Sequence, residues 1–241
     1  MIFRLSDEIV FPDPRMGEED GLLAVGGDLS EERLLLAYSY GIFPWFSFRD
    51  WPEPAWYCHL KRFVIFPDEV HVSHSMRSIM RKHDYSVTFN RDFDGVIQGC
   101  STADGRYYMN GAWLGEDMMK AYRNMNRLGY ATSVEVWDVE GELVGGLYGM
   151  AMGDCFIGES MFSIVPNASK LALIHLARLM SRIGGRLIDC QLETPHLKSM
   201  GGRFIPYKEY LDILNPGAYD RLGPLPELGS PEEAAEGPDD L

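Results

Sequence analysis

The sequence predicts an α+β fold with a sheet of mixed strand direction, a small N-terminal lobe being packed on a larger C-terminal domain. Three observations carry that prediction. Apolar, strand-like runs at Ser133 to Trp137, Leu143 to Met152 and Cys155 to Ser163 are separated only by turn signals at Glu140-Gly141 and Gly153-Asp154, the pattern of an antiparallel meander. A long amphipathic helix then follows Asn167, closes at Gly184-Gly185, and runs at once into the strand Arg186 to Gln191, which makes a strand–helix–strand crossover. Residues 1–60 differ in kind, being dense in turn residues and aromatics.

Taken in order, residues 1–60 hold one clear helix from Glu31 to Tyr40, started by Ser30 and stopped by Gly41. The aromatics Phe43, Trp45, Phe46, Trp51, Trp56 and Tyr57 follow; they fit either a lobe laid over a groove or an apolar seam between lobes. Helices are expected near 75–83, 92–100 and 116–128. In the second, Phe93, Val96, Ile97 and Cys100 fall at i, i+3, i+4 and i+7, one buried stripe, and the third stops at Gly129. After the meander, the apolar face of the long helix includes Leu173, Leu176 and Met180. The larger domain is expected over 61–215, and a disordered acidic tail over 216–241. A meander joined by a crossover to one more strand is the arrangement of acetyltransferase-like (GNAT) folds.

At 241 residues and 46% apolar content the chain has ample material for a core. No stretch approaches the roughly 18 apolar residues of a membrane span, and the N-terminus lacks a signal peptide's long apolar region, so the cytosol is the expected location and no membrane partner is expected. Cys58, Cys100, Cys155 and Cys190 show no metal-binding spacing and are expected to be reduced. The net charge of −14 argues against a generic nucleic-acid coat; residues 224–241 hold six acidic residues and no basic one, leaving −8 for the rest. No Walker A loop, H-E-x-x-H or G-x-S-x-G segment is present, and the six histidines are scattered, so neither a metal nor a cofactor is expected. An acyl-CoA enzyme would need a glycine-rich turn before the long helix, where this chain has Ile164 to Lys170 without glycine.

Glu159, Asp189 and Gln191 stand out because they place two carboxylates and an amide inside apolar strand-like runs. Strand alternation would put Asp189 and Gln191 on one face, and Glu159 on the face of Ile157 and Met161. Buried charges need partners, so these groups form either a structural hydrogen-bond network or a site awaiting substrate.

The chain resembles the leucyl/phenylalanyl-tRNA–protein transferases. The matching segments are Gly21 to Ala24 with Gly26 to Ser30, Gly41 to Phe46, Ser133 to Trp137, Leu143 to Gly149, Gly158 to Ser163, Asn167 to Lys170 and Leu187 to Gln191, in the family's order. The resemblance implies a two-lobed enzyme with an acetyltransferase-like larger lobe. It would move Leu, Phe or sometimes Met from aminoacyl-tRNA to the N-terminal amine of proteins beginning with Arg or Lys, making a degradation signal for the Clp system. It also implies a reaction centre at Asp189 and Gln191 with Glu159 beside them. The donor side chain would then be held by Leu147, Phe156, Leu173, Leu176, Met180 and Ile188, and the terminal adenosine and acceptor would lie near Trp45 and Trp113.

Aminolysis of an activated ester is downhill, so such an enzyme must mainly align reactants, supply a neutral amine and stabilise the oxyanion. Asp189 is a candidate to take the ammonium proton, Gln191 to orient it, and Glu159 to hold the donor's amino group or a cationic acceptor. Arg77 and Arg81, one helical turn apart, with Lys82, Lys61 and Arg62, are the candidate tRNA contacts. Two alternatives stay open: a tRNA-dependent ligase adding amino acids to peptidoglycan precursors, and a non-catalytic module binding protein N-termini. The resemblance has two departures. Where the family commonly continues Ser-Pro-x-Pro-Arg, this chain has Cys58 to Arg62 without proline; and Leu176 and Met180 stand where aromatics are common, which leaves the donor preference and an acidic acceptor open.

Overall fold

In the computed structural model the residues described are 2–45, 53–102 and 114–225. Trp51, Trp113 and residues 226–241 lie outside them. Residues 3–57 contain a four-stranded sheet of β1 (Phe3–Leu5), β2 (Leu22–Gly26), β3 (Phe43–Trp45) and β4 (Ala55–Tyr57) in the order β1-β2-β4-β3, with β1 and β2 parallel. Helix α1 (Glu31–Ser39) joins β2 to β3. The Ser30 hydroxyl caps it by accepting from the Arg33 backbone N–H, and Gly41, at φ 68°, lets the chain turn out of it as the sequence predicts. Trp56 and Tyr57 are core residues; the Trp56 indole donates to Gly26 O at 2.9 Å and meets the edge of Phe11.

A seven-stranded mixed sheet spans residues 61–206. Its strands are β5 (Lys61–Ile65), β6 (Ser86–Phe89), β7 (Ala131–Trp137), β8 (Leu143–Met152), β9 (Cys155–Ser163), β10 (Leu187–Asp189) and β11 (Arg203–Pro206), in the order β11-β5-β10-β9-β8-β7-β6. The meander β7-β8-β9 is present, and β10 runs parallel to β9, as the crossover requires. Strand β5 inserts antiparallel between β10 and β11, a placement with no signal in the local sequence.

Helices α2 (His74–Lys82), α3 (Phe93–Thr102), α4 (Glu116–Arg127) and α5 (Ala168–Ile183) match the expected ones, and α6 (Pro195–Ser199), α7 (Tyr207–Leu214) and α8 (Ala218–Arg221) are short additions. The whole stripe Phe93, Val96, Ile97 and Cys100 is buried. Helix α3 packs on one face of the large sheet and α5 on the other. One core unites that first face with the small sheet; a second lies under α5 around Leu147, Phe156, Leu173, Leu176 and Ile188.

Four expectations are corrected. Asn167 occupies the cap position of α5 but in a left-handed conformation without a side-chain cap; the Ser163 hydroxyl accepts from Ser169 N at 2.9 Å instead. Residues 216–225 are not tail: α8 seats Ala218 in the core, and Tyr219 lies 5.4 Å from the Arg15 guanidinium. Glu159 and Met161 do not share a face, because Gly149 pairs with Gly158 while Tyr148 pairs with Ser160, leaving Glu159 as the extra residue of a β-bulge. Ile157 stays with the first core and Met161 turns to the second. Finally, β10 ends at Asp189 and Gln191 is left-handed at φ 55°, so alternation does not relate the two.

Candidate active site

Strands β9 and β10 pair only as far as Ile157 and Asp189. Beyond that point β9 bulges and β10 stops, so the two strands part and leave a cavity of about 630 Å³ between their ends, α5 and the edge strand β3. Phe43, Pro44 and Trp45 form the wall from the small lobe; Leu147, Phe156, Leu173, Leu176 and Ile188 form an apolar pocket; Glu159 and Gln191 lie at the junction. Among the described aromatics of the small sheet, Trp56 and Tyr57 lie in the core shared with the large sheet, while Phe43 and Trp45 line the cavity.

The bulge turns Glu159 toward the first core. There Tyr38 of α1 donates to Oε1 at 2.6 Å, Tyr122 of α4 donates to Oε2 at 2.7 Å, and the two hydroxyls are 2.7 Å apart. Three short oxygen–oxygen contacts need three protons, and two tyrosines supply two. The ring is complete when Glu159 carries the third and gives it to one tyrosine, which then donates to the other tyrosine instead of to the carboxyl. Its carboxyl is accordingly pushed up to about 7, chiefly by burial, against the pull of the two hydroxyls. Burial and the Glu159 charge together hold both tyrosines well above their ordinary range.

Asp189 sits in a different setting. Its carboxylate and the Arg62 guanidinium are both fully buried, joined by Arg62 Nε at 2.9 Å from each oxygen and Nη2 at 2.8 Å from Oδ2. Tyr210 donates to Oδ2 at 2.8 Å and Gln191 N to Oδ1 at 2.9 Å. The guanidinium lies 5.0 Å from the centre of the Phe43 ring and 4.6 Å from that of Tyr210. Burial alone would lower the Arg62 pKa, but the facing carboxylate, with smaller contributions from Tyr210 and Cys58, reverses this and raises it. A third buried carboxylate, Glu135, accepts from Ser133, Thr88 and the Arg91 backbone, away from the cavity, and is structural. Among the described residues no group of three His, Cys, Asp or Glu side chains is placed to hold a metal ion, and no helix is long and apolar enough to cross a membrane. All four cysteines are free.

Residues 64–215 match the model of the leucyl/phenylalanyl-tRNA protein transferase family, and residues 27–58 match that of its N-terminal domain. A leucyl/phenylalanyl-tRNA–protein transferase of Syntrophobacter fumaroxidans is 50% identical over 213 residues, 88% of this chain and 89% of that protein. One of Syntrophus aciditrophicus is 52% identical over 212 residues, 87% and 86% of the two chains. This chain belongs to that family. It is an aminoacyltransferase. Among solved structures, a GCN5-related N-acetyltransferase from Sphaerobacter thermophilus matches at 14% identity and a TM-score of 0.37, over 78% of the transferase chain and 59% of that one.

Of the residues expected at the transferase's site, Glu159, Asp189, Gln191, Trp45, Leu147, Phe156, Leu173, Leu176 and Ile188 all line the one cavity. Met180 does not; it is buried in the last turn of α5, against Gly185. Trp113 lies outside the described residues. Arg77, Arg81 and Lys82 of α2 and Lys61 of β5 are each exposed. Arg62 is corrected: it is wholly buried against Asp189 and contributes nothing to a surface patch. Sequence reasoning missed Tyr38, Tyr122 and Tyr210, whose helical positions look like ordinary core. The usable signal was chemical, since a buried tyrosine hydroxyl needs a partner and the unexplained acids were available. It also missed Thr194 and His196, which reach the cavity from the start of α6.

Proposed function

We infer that this transferase moves Leu, Phe or Met from the 3′ end of aminoacyl-tRNA to the α-amine of proteins whose first residue is Arg or Lys, marking them for degradation in the cytoplasm. Residues 1–60 would serve as the lobe over the groove and 61–215 as the catalytic lobe. The observation that carries this reading is the junction in one cavity of an apolar pocket, a carboxyl on a β-bulge and a free-standing amide. An uncharged, medium-sized side chain fits Leu147, Phe156, Leu173, Leu176 and Ile188. Leu176 in place of an aromatic leaves room for the longer, more flexible Met side chain.

In the reaction the acceptor nitrogen attacks the ester carbonyl, a C–N bond forms, the C–O bond to the terminal ribose breaks, and a proton from nitrogen ends on the ribose oxygen. Nothing need be bonded to the enzyme. Its task is alignment and charge placement, for which orientation alone offers roughly 7–11 kcal/mol. Glu159 is suited to the donor's ammonium, which would take the place of its proton, and the Gln191 amide to the incoming amine. Trp45 offers a face for the terminal adenine, a stacking contact worth about 1–3 kcal/mol.

The test is transfer of label from Leu-, Phe- or Met-tRNA to peptides beginning with Arg, Lys, Asp, Glu or Ala. Label should reach Arg and Lys peptides and vanish after RNase; label on none of them, or transfer that survives RNase, refutes the assignment. For the tRNA body, the exposed face of Arg77, Arg81 and Lys82 is the proposed contact. Changing Arg77 and Arg81 to Ala should flatten the salt dependence of tRNA binding by about 0.7–0.9 per lost phosphate contact. An unchanged slope removes them from the interface.

A further inference from the structure

We propose that the open edge of β3 docks the acceptor polypeptide, the Pro44 carbonyl accepting from the backbone N–H of the acceptor's second residue. This rests on the transfer reaction inferred above and concerns how its acceptor is held.

In the order β1-β2-β4-β3 one side of β3 is taken by β4, and no described strand pairs with the other. That free side meets the cavity. Phe43, Pro44 and Trp45 all line it, yet along a strand successive side chains leave by opposite faces. Three neighbours in a row reach one cavity only where it runs along the strand's edge. The backbone groups of that edge are then part of the cavity wall.

Which groups these are follows from the register, Phe43 opposite Tyr57, Pro44 opposite Trp56 and Trp45 opposite Ala55. In an antiparallel ladder, pairs that exchange two hydrogen bonds alternate with pairs that exchange none. Proline has no N–H, so Pro44 and Trp56 form a pair of the second kind. Phe43 and Trp45 therefore turn their backbone groups to β4, and Pro44 turns its carbonyl the other way. Over these three residues the edge offers one acceptor and no donor. Pro44 is buried, and no described group donates to its carbonyl. A buried carbonyl without a partner costs about as much as a lost hydrogen bond, which a bound N–H would restore.

A polypeptide N–H is the donor that fits. Different acceptor proteins share their backbone and little else beyond the first residue, and a strand edge reads backbone whatever the sequence. The first residue's nitrogen is the one that reacts, so the second residue supplies the nearest spare N–H. Glu159 and Gln191 line the same cavity, so a chain pinned at its second residue presents its amine within the space they border. The third residue of an extended chain turns its N–H away from β3. Recognition at this edge therefore ends with the second residue. The Trp45 ring leaves the strand by a face and stays free of this contact.

Steady-state transfer from Phe-tRNA to three Arg-initiated peptides, unmodified or N-methylated at the second or the third peptide residue, tests the docking. Methylation at the second should raise the acceptor KM about 5- to 10-fold, the loss of one hydrogen bond, and leave the KM for Phe-tRNA unchanged. Methylation at the third should change the acceptor KM by less than about twofold. Infrared spectra of protein labelled with heavy carbon at its proline carbonyls, 14 in all, locate the contact. Unmodified peptide should move one proline carbonyl band to lower frequency; peptide methylated at the second residue should not. In Pro44→Ala position 44 carries no label, so the moving band should vanish while transfer continues. Equal acceptor KM for the unmodified and second-residue peptides overturns the docking, as does an equal penalty at the third residue or a moving band that survives Pro44→Ala. Absence of transfer to the unmodified peptide overturns the reaction and the docking with it; transfer that ignores the second-residue methyl overturns the docking alone.

Discussion

Asp189→Ala is expected to destabilise the fold by about 3–5 kcal/mol, because it strands the Arg62 guanidinium in a site from which water is excluded. That is a large part of the 5–15 kcal/mol by which domains are ordinarily stable. The same variant should lose transfer on the order of 100-fold, for a separate reason: Gln191, which lines the cavity, loses the Asp189 Oδ1 acceptor of its backbone N–H. The two losses can be parted. Arg62→Met combined with Asp189→Leu removes both charges and keeps apolar volume between Phe43 and Tyr210, which for buried pairs recovers most of the stability. Transfer should stay low in the double variant while its urea midpoint returns toward wild type. A single variant as stable as wild type would contradict the buried pair. A double variant with restored transfer would reduce the pair to scaffolding.

Glu159→Gln is expected to act through pH. The carboxyl titrates near 4.5 in an unfolded chain and at about 7 in the folded protein. Between these values the folded state binds more protons than the unfolded state, so its stability falls as pH rises from about 4.5 to about 7 and levels off above. The change amounts to about 1–3 kcal/mol once the partial exposure of the residue is allowed for. Transfer runs the opposite way. The ring of Tyr38, Tyr122 and Glu159 is complete with the third proton, but only the anion can pair with a donor ammonium, so kcat/KM should rise with pH through about 7. Glu159→Gln supplies a permanent proton. It should remove the downward slope of melting temperature with pH and the upward limb of kcat/KM, and lower transfer by about 10- to 100-fold. A melting profile with the same slope in both proteins would place the titrating group elsewhere.

What could be read in advance follows from the range of the signals. Helices α1 to α5 and strands β7 to β9 announce themselves within a dozen residues, through Ser30, the stripe at Phe93, Val96, Ile97 and Cys100, and the glycine turns. The apolar side of the cavity was legible for the same reason, since Leu147, Phe156, Leu173 and Leu176 sit on those elements; that it receives the donor side chain is what the resemblance implies. The insertion of β5 beside β10 depends on pairing of residues more than a hundred positions apart, Val64 with Asp189, and no local pattern encodes it. Arg62 shows the cost of that blindness. In Lys61-Arg62-Phe63-Val64-Ile65 it looks like half of a basic pair, yet Lys61 is exposed and Arg62 is fully buried, because the next residue along a strand faces the other way. The bulge at Glu159 defeated the alternation rule by one residue, and the left-handed turn at Gln191 defeated it again two residues past the end of a three-residue strand.

The first core has a mechanical consequence. Leu23, Trp56 and Ile42 from the small sheet share one apolar cluster with Val64, Tyr148, Ile157 and Tyr210 from the large one. Two bodies with a common interior do not melt separately, so the chain should unfold in a single cooperative step, and a fragment beginning at Lys61 would face water with half a core. Tyr38 would be gone from Glu159 and Phe43 from Arg62. The spacing of the two sheets is then tied to the packing of that common core, so a truncation at Leu23, Ile42 or Trp56 should be felt at the groove between them.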